Sequence, residues 1–330
     1  MANIPLKKES IASSKVQLVI EKLDEFIAAG TYKIGDTVPS INEFSKQLSV
    51  SRDTVFKGYA ELKKRKILAS APTKGYYVNN IINRVFLLLD SYSPYKDVLY
   101  NSFRNFLPEN YQVDLAFHHY NYQVFQTLIL NSIGKYSSYV IMNVNNGKIA
   151  DVLRRIDPHK LLLLDWGQFR KEKYSYIGQD FETAALDCFK QALNLIKKYE
   201  VINIFYPADS DHPEETIKAF SKFCKSKKLV VKVRKELKKE DVVKGSMYFV
   251  FRPKELVVVM KLLKENHLKP GKDAGILIYN DMPLYEVIDK GMTVISTDFS
   301  RMGTEAAKFA INPVKTQQLI PTNLIIRGSL

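Results

Sequence analysis

The sequence predicts an α/β protein in two parts: a small segment of three helices and a hairpin, then a larger body of alternating strands and helices. Three observations carry this. Before position 66, apolar residues recur at helical steps of three and four. From Asn83 onward, short apolar runs alternate with helical stretches, the pattern of parallel sheets covered by helices. Between them, Asn79-Asn80-Ile81-Ile82-Asn83 lacks the Gly and Ser of a free tether. The expected division is 1–78, a linker at 79–83, and 84–330, with the two parts mechanically coupled.

In the first part, Val16, Val19, Ile20, Leu23, Phe26 and Ile27 share one face of a helix that Gly30 ends. A turn follows at Tyr32–Asp36. Ser40, after Pro39, caps a second short helix with Glu43 in the reciprocal position, and Ile41, Phe44 and Leu48 face inward. Ser49–Val50 is a tight connection. Ser51 caps a third helix that reaches about Arg65 and is buried through Val55, Tyr59 and Leu62. Ile67–Ala71 and Gly75–Val78 then form two strands about Pro72-Thr73-Lys74-Gly75. Together these make a winged helix-turn-helix.

In the body, strands are expected at Val85–Asp90, Gln112–Phe117, Tyr139–Val144, Leu161–Asp165, Val201–Pro207, Val230–Val233, Met247–Phe251, Gly275–Tyr279 and Thr293–Ser296. Helices include Tyr95–Phe106, Phe181–Tyr199, Glu214–Lys225, Lys254–Glu265 and Arg301–Ala310. About nine strands are too many for one small lobe.

The formal charge is +14, from 49 basic and 35 acidic residues. A basic balance favours polyanion partners through counterion release. Most of the excess lies elsewhere than in the first part: residues 190–272 hold 20 basic and 10 acidic side chains, against 13 and 8 in residues 1–80. The run Lys218–Lys239 therefore reads as solvated helix and strand faces. No apolar run approaches the roughly 18 residues of a membrane-spanning helix. The N-terminus has no apolar core of a secretory signal. Cys188 and Cys224 alone give no disulfide framework. The expectation is a cytoplasmic protein.

The segment Gly35-Asp36, Pro39-Ser40 and Ser51-Arg52-Asp53-Thr54-Val55 resembles the GntR family of bacterial transcription regulators over residues 15–78. The resemblance implies operator DNA as partner. A recognition helix offers its free N-terminal N–H groups to phosphate, and Arg52 can reach a guanine edge or clamp a phosphate. The DNA-contacting set is then Ser40, Asn42, Ser51, Arg52, Thr54 and Lys57, with Lys74 and Gly75 at the wing tip entering a minor groove. This chain has Asn42 where the family commonly has arginine, and Phe56 where it often has a basic residue.

The remainder resembles the periplasmic-binding-protein-like sensor of the LacI/GalR family. The fragments that carry it are Tyr176-Ile177-Gly178-Gln179-Asp180, Gly275–Asp281, Met292–Phe299, Met302–Ala307 and the tail Pro321–Ser329. The resemblance implies two α/β lobes with a ligand between them, bound by loops after strand C-termini. Those loops offer Tyr92, Ser93, His118, His119, Asn143, Asp165, Trp166, Asp180, Arg252, Asn280, Asp281, Thr297 and Phe299. Carboxylates, amides and an arginine among aromatic rings suit a neutral polyhydroxylated molecule such as a monosaccharide, arabinose-like or fucose-like. Arg252 stands where many relatives have asparagine, and Thr216 near where they place a sugar-binding arginine.

The overall expectation is a homodimeric regulator, a repressor by family precedent, whose operator affinity a small sugar controls. A phosphorylated metabolite or a protein partner stays open through Arg252 and the basic excess. A ligand-binding or enzymatic module with a DNA-binding appendage is the other reading. No cofactor or metal is expected: the adjacent His118 and His119 have no further His or Cys spaced to complete a site. None of the common nucleophile, phosphate-loop, zinc-protease or Cys-x-x-Cys motifs occurs, so an enzyme is not expected.

Overall fold

The computed structural model describes residues 9–79, 83–144, 149–165, 174–210 and 212–330. The first part comprises α1 (Glu9–Ala28), α2 (Ile41–Leu48), α3 (Arg52–Lys64) and the antiparallel hairpin β1 (Leu68–Ala71) and β2 (Gly75–Val78). Its core is Val19, Leu23, Phe44, Val55, Tyr59 and Leu62. The Tyr59 hydroxyl donates to the Pro39 carbonyl at 2.9 Å, fixing the entry to α2. The tight connection between α2 and α3 turns on Ser49, whose φ is 52°. α1 and α3 meet at Gly58, where a Cβ would lie 2.5 Å from Val19 Cγ1.

The chain then builds one lobe from β3 (Asn83–Leu89), α4 (Pro94–Phe106), β4 (Tyr111–Phe117), α5 (Tyr122–Ser132), β5 (Ser138–Met142), α6 (Ile149–Leu153), β6 (Leu161–Leu164) and β7 (Ser175–Gln179). The second lobe follows with α7 (Thr183–Gln191), α8 (Leu193–Ile196), β8 (Val201–Phe205), α9 (Glu214–Ser226), β9 (Val230–Arg234), β10 (Ser246–Val250), α10 (Pro253–Glu265), β11 (Gly275–Tyr279), α11 (Leu284–Val287) and β12 (Thr293–Thr297). α12 (Phe299–Ile311) and β13 (Gln317–Ile320) return to the first lobe, and β14 (Thr322–Ile325) to the second.

Each lobe is a six-stranded sheet, ordered β13-β7-β6-β5-β3-β4 and β14-β12-β11-β10-β8-β9. All pairings are parallel except β14 against β12. Both faces of each sheet are covered, so the strands read as unbroken apolar runs such as Leu161–Leu164. The chain thus crosses between lobes three times: after Gln179, after Thr297 and at Pro321. α12 packs on α4 so closely that a Cβ at Gly303 would lie 2.2 Å from the Leu99 carbonyl oxygen.

Among the described residues the body has twelve strands where nine were expected. β7 and β13 are additions, while β14 lies in the tail Pro321–Ser329, where the LacI/GalR resemblance implies a terminal strand. The single helix expected over 181–199 is interrupted at Ala192, between α7 and α8.

Candidate functional site

The first part presents one helix end to solvent. Ser51 caps α3: its Oγ accepts the Thr54 N–H at 3.1 Å and lies 2.7 Å from Thr54 Oγ1. Ser40 caps α2 in the reciprocal box, accepting from the Glu43 N–H at 3.3 Å while its own N–H donates to Glu43 Oε2 at 2.7 Å. Arg52 and Asn42 are exposed, and among the described residues Arg52 has no ion pair. Lys57 is exposed and pairs with Asp53 at 2.7 Å. Phe56, at 53% exposure, puts an aromatic ring on this face. At the wing, Gly75 takes a φ of 74°, but Lys74 folds back on its own domain. Its Nζ donates to the Gly35 carbonyl and lies 4.6 Å from the Tyr77 ring centre. Reaching a minor groove requires Lys74 to leave these partners.

Between the lobes lies a cleft of about 390 Å³. Two residues at matching strand ends enter it, Asp165 after β6 and Asn280 after β11. Both take left-handed backbone, with φ of 64° and 65°, a conformation that Asp and Asn tolerate better than other side chains. Their backbone N–H groups stay tied to neighbouring strands, at the carbonyls of Ile177 (2.8 Å) and Ile295 (2.7 Å). The N-terminal ends of α4 and α10 face the cleft through Ser93-Pro94 and Arg252-Pro253. Phe181, His212 and Phe251 form its aromatic wall. The imidazole stacks on Phe251 with ring centres 4.4 Å apart and meets Tyr279 edge-on at 4.4 Å.

The charges of the cleft are mostly committed. Lys96 is buried and bonds Asp90; burial opposes its charge, but Asp90, with Tyr95 and Asp165, outweighs that and raises its pKa. Arg252 bonds Glu255 (2.5 Å) and the Asp209 carboxylate (3.0 Å), and Lys254 bonds Asp209 (2.5 Å). Among the described residues Asp165 has no direct ion pair. Burial lifts its pKa to about 6 despite Lys96, and its carboxylate accepts from Gln179 Nε2. Burial likewise drives the His212 pKa down to about 3, so this imidazole is neutral. His212 Nε2 and Asn280 Oδ1 are buried without a hydrogen-bond partner among the described residues.

Of the residues expected to bind effector, Tyr92, Ser93, Arg252 and Asn280 line this cleft, as does Asp165. The others that fall among the described residues stand elsewhere. His118 is fully buried, edge-on to Phe125 at 5.4 Å, with Nδ1 accepting the Tyr120 N–H at 3.2 Å; it is a core residue. Asp180 Oδ1 accepts the N–H groups of Glu182 and Thr183 at the start of α7. Asp281 is taken by Arg327 through two bonds of 3.0 and 2.7 Å. Thr297 is buried between crossover strands. Phe299 packs on Tyr95 with ring centres 4.8 Å apart, in the first lobe's core. Asn143 ends β5 with Oδ1 buried and unpaired, outside the cleft lining. His119 stacks near Phe117, and Trp166 lies outside the described residues. Thr216 donates to the Phe181 carbonyl, holding a wall ring rather than reaching the cavity.

Sequence reasoning missed Asp90, Tyr95, Lys96, Gln179, Phe181, His212 and Phe251. His212 follows β8 on a loop of the same kind as those considered, so position alone could have found it. Lys96 offered no signal, since a lysine in a first helical turn normally faces water. Among the described residues, no three His, Cys, Asp or Glu side chains converge as metal ligands would, and no helix is long and apolar enough to cross a membrane.

The family model for bacterial regulatory proteins of the gntR family matches residues 15–78. An uncharacterised HTH-type transcriptional regulator of Bacillus subtilis, YcxD, is 34% identical over 64 residues, which are 19% of this chain and 14% of that protein. A putative transcription regulator from Staphylococcus saprophyticus has a similar fold, with a TM-score of 0.60 and 19% identity, over 75% of this chain and 98% of its own. So does a LacI family transcriptional regulator from Lactobacillus casei with bound glucose, with a TM-score of 0.61 and 14% identity over 75% and 100%. The trehalose repressor of Escherichia coli gives 0.61 and 13% over 74% and 100%. Residues 15–78 are thus a GntR-type helix-turn-helix domain, and the chain joins it to a two-lobed body with the fold of LacI-family regulators.

Proposed function

We propose that this chain is a transcriptional repressor that binds a palindromic operator as a homodimer and releases it when a neutral polyhydroxylated molecule, of the monosaccharide class, occupies the cleft. The observation that carries the reading is the pair of buried atoms lining the cleft that have no partner among the described residues, His212 Nε2 and Asn280 Oδ1. Leaving such groups unpaired costs about 1–3 kcal/mol each, a cost that a ligand rich in hydroxyls relieves because each hydroxyl both donates and accepts. Phe181 and Phe251 can cover the apolar face of a sugar ring. A phosphorylated ligand is disfavoured: Lys96, Arg252 and Lys254 already face carboxylates, so an anion must break an ion pair to gain one.

For the DNA half, exposed Arg52 at the capped start of α3 supports insertion of that helix into a major groove. A thermal-shift panel tests the effector. A neutral monosaccharide should raise the unfolding midpoint by mass action, and a rise with glucose 6-phosphate but with no neutral sugar would contradict the reading. Arg52→Ala should abolish binding to operator DNA selected from a random pool while leaving that thermal shift intact.

A further inference from the structure

The three crossovers are joined by side chains as well as by backbone. The Thr297 hydroxyl, at the second crossover, donates to Gln179 Oε1 at the first (2.7 Å), and lies 3.0 Å from Thr322 Oγ1 at the third. The amide of Gln179 points its other end at the cleft, where Nε2 donates to Asp165 Oδ1. With Thr297 donating to Gln179, its remaining capacity is to accept, so the Thr322 hydroxyl donates to it. Every donor in the row therefore points toward the Asp165 carboxylate. All four side chains are buried or half-buried, and Asp165 and Gln179 line the cleft.

We propose that the row Thr322–Thr297–Gln179–Asp165 is a positioning device that couples the hydrogen-bonding state of the Asp165 carboxylate to the relative placement of the two lobes. A carboxylate accepts only, which sets the amide of Gln179 and, through it, both threonines. A carboxyl group that gains a proton becomes a donor. When that proton sits on the oxygen facing Gln179, the amide turns its own oxygen toward Asp165, and Thr297 faces an N–H where it had an acceptor. A ligand hydroxyl donating to Asp165 competes for the same lone pairs. This inference rests on the reading of the cleft as an effector site for its physiological use, but the row can be tested without effector.

Among the described residues, the titratable groups facing Asp165 are Lys96 and Tyr95 of α4, Asp90 at the end of β3, and Tyr279 of β11. Lys96 and the tyrosines keep their protonation through the range used, because their pKa values are raised from already high ones. Asp165, whose pKa burial lifts to about 6, changes state between pH 5 and 7.5.

Spin labels on Lys135→Cys in the first lobe and Lys227→Cys in the second, both exposed sites in the full chain, report the interlobe distance by double electron–electron resonance. The expected result is a shift in the distance distribution between pH 7.5 and 5 with a midpoint near 6 and no ligand present. Asp165→Asn, which keeps the shape, should abolish the shift. Thr297→Val removes the hydroxyl with little change of volume and should abolish it too, although Asp165 still titrates; restoring the hydroxyl as Thr297→Ser should bring it back. A distribution unchanged by pH in the parent chain, or one whose response survives Thr297→Val, overturns the proposal. Neither result bears on whether a sugar raises the melting temperature.

Discussion

Asp165 carries its charge at a cost, since burial holds its pKa at about 6 against an ordinary 3.8. An acid raised in the folded state is destabilising when ionised: the penalty is full above about pH 6 and gone below about 3.8. Asp165→Asn should therefore stabilise the protein at pH 8, on the order of 3 kcal/mol, with the gain fading as pH falls from 6 to 4. Urea unfolding of both forms at several pH values measures this; a gain that is the same at pH 4 and pH 8 would rule the cause out. His118 has the opposite sense. Burial first, only partly offset by Asp90, lowers its pKa to about 4. Its contribution to stability is present above about pH 6.5 and is lost as pH falls toward 4, so the difference between variant and parent, not the parent curve alone, isolates Asp165. At this scale the sequence showed which strand ends carry polar residues. It could not show which of them are spent on structure. Asp281 was indistinguishable from Asn280 until Arg327, forty-six positions away in sequence, was seen to bind it.

The helices packed through glycine offer a test at the next scale. Alanine is a better helix former than glycine by up to about 1 kcal/mol, so propensity alone makes Gly303→Ala stabilising. The structure gives the reverse sign: its Cβ would meet the backbone of α4 at Leu99 and Phe103, at 2.2 and 3.0 Å, and backbone cannot swing aside. A loss of about 2 kcal/mol is expected, read as a lower thermal midpoint, and an unchanged or higher midpoint would refute the close approach. The first part was legible down to its caps because Ser40, Glu43 and Ser51 act within three residues of their partners. The body was less so. α5 carries exposed Val124 and Leu130 opposite its buried Phe125 and Ile129, which blurs its period. β13 and β14 are four residues each with polar Gln317, Gln318 and Asn323. Only their place in sheets begun more than a hundred residues earlier makes them strands.

For the whole molecule, the proposed function has operator and effector act on one equilibrium, so the coupling it requires is reciprocal. An energy of about 1–3 kcal/mol corresponds to roughly 5–150-fold in either affinity. If a sugar weakens operator binding by some factor, saturating operator should weaken sugar binding by the same factor. Calorimetric titration with and without operator tests it, and an effector affinity indifferent to operator would separate the two events. Two lobes were foreseeable from the number of strands, whereas the interleaving was not, because nothing local marks a chain that leaves a sheet and later rejoins it.

That interleaving has a practical consequence. The first lobe's sheet and cover need residues 83–179 together with 299–320, and the second lobe needs 183–297 together with 322 onward. No single cut of the polypeptide liberates either half, and neither can be expressed as one contiguous fragment. A nick in the exposed loop at Lys227–Lys228 should leave the pieces associated under native conditions. Dissection of this protein is therefore better pursued by point substitution than by truncation.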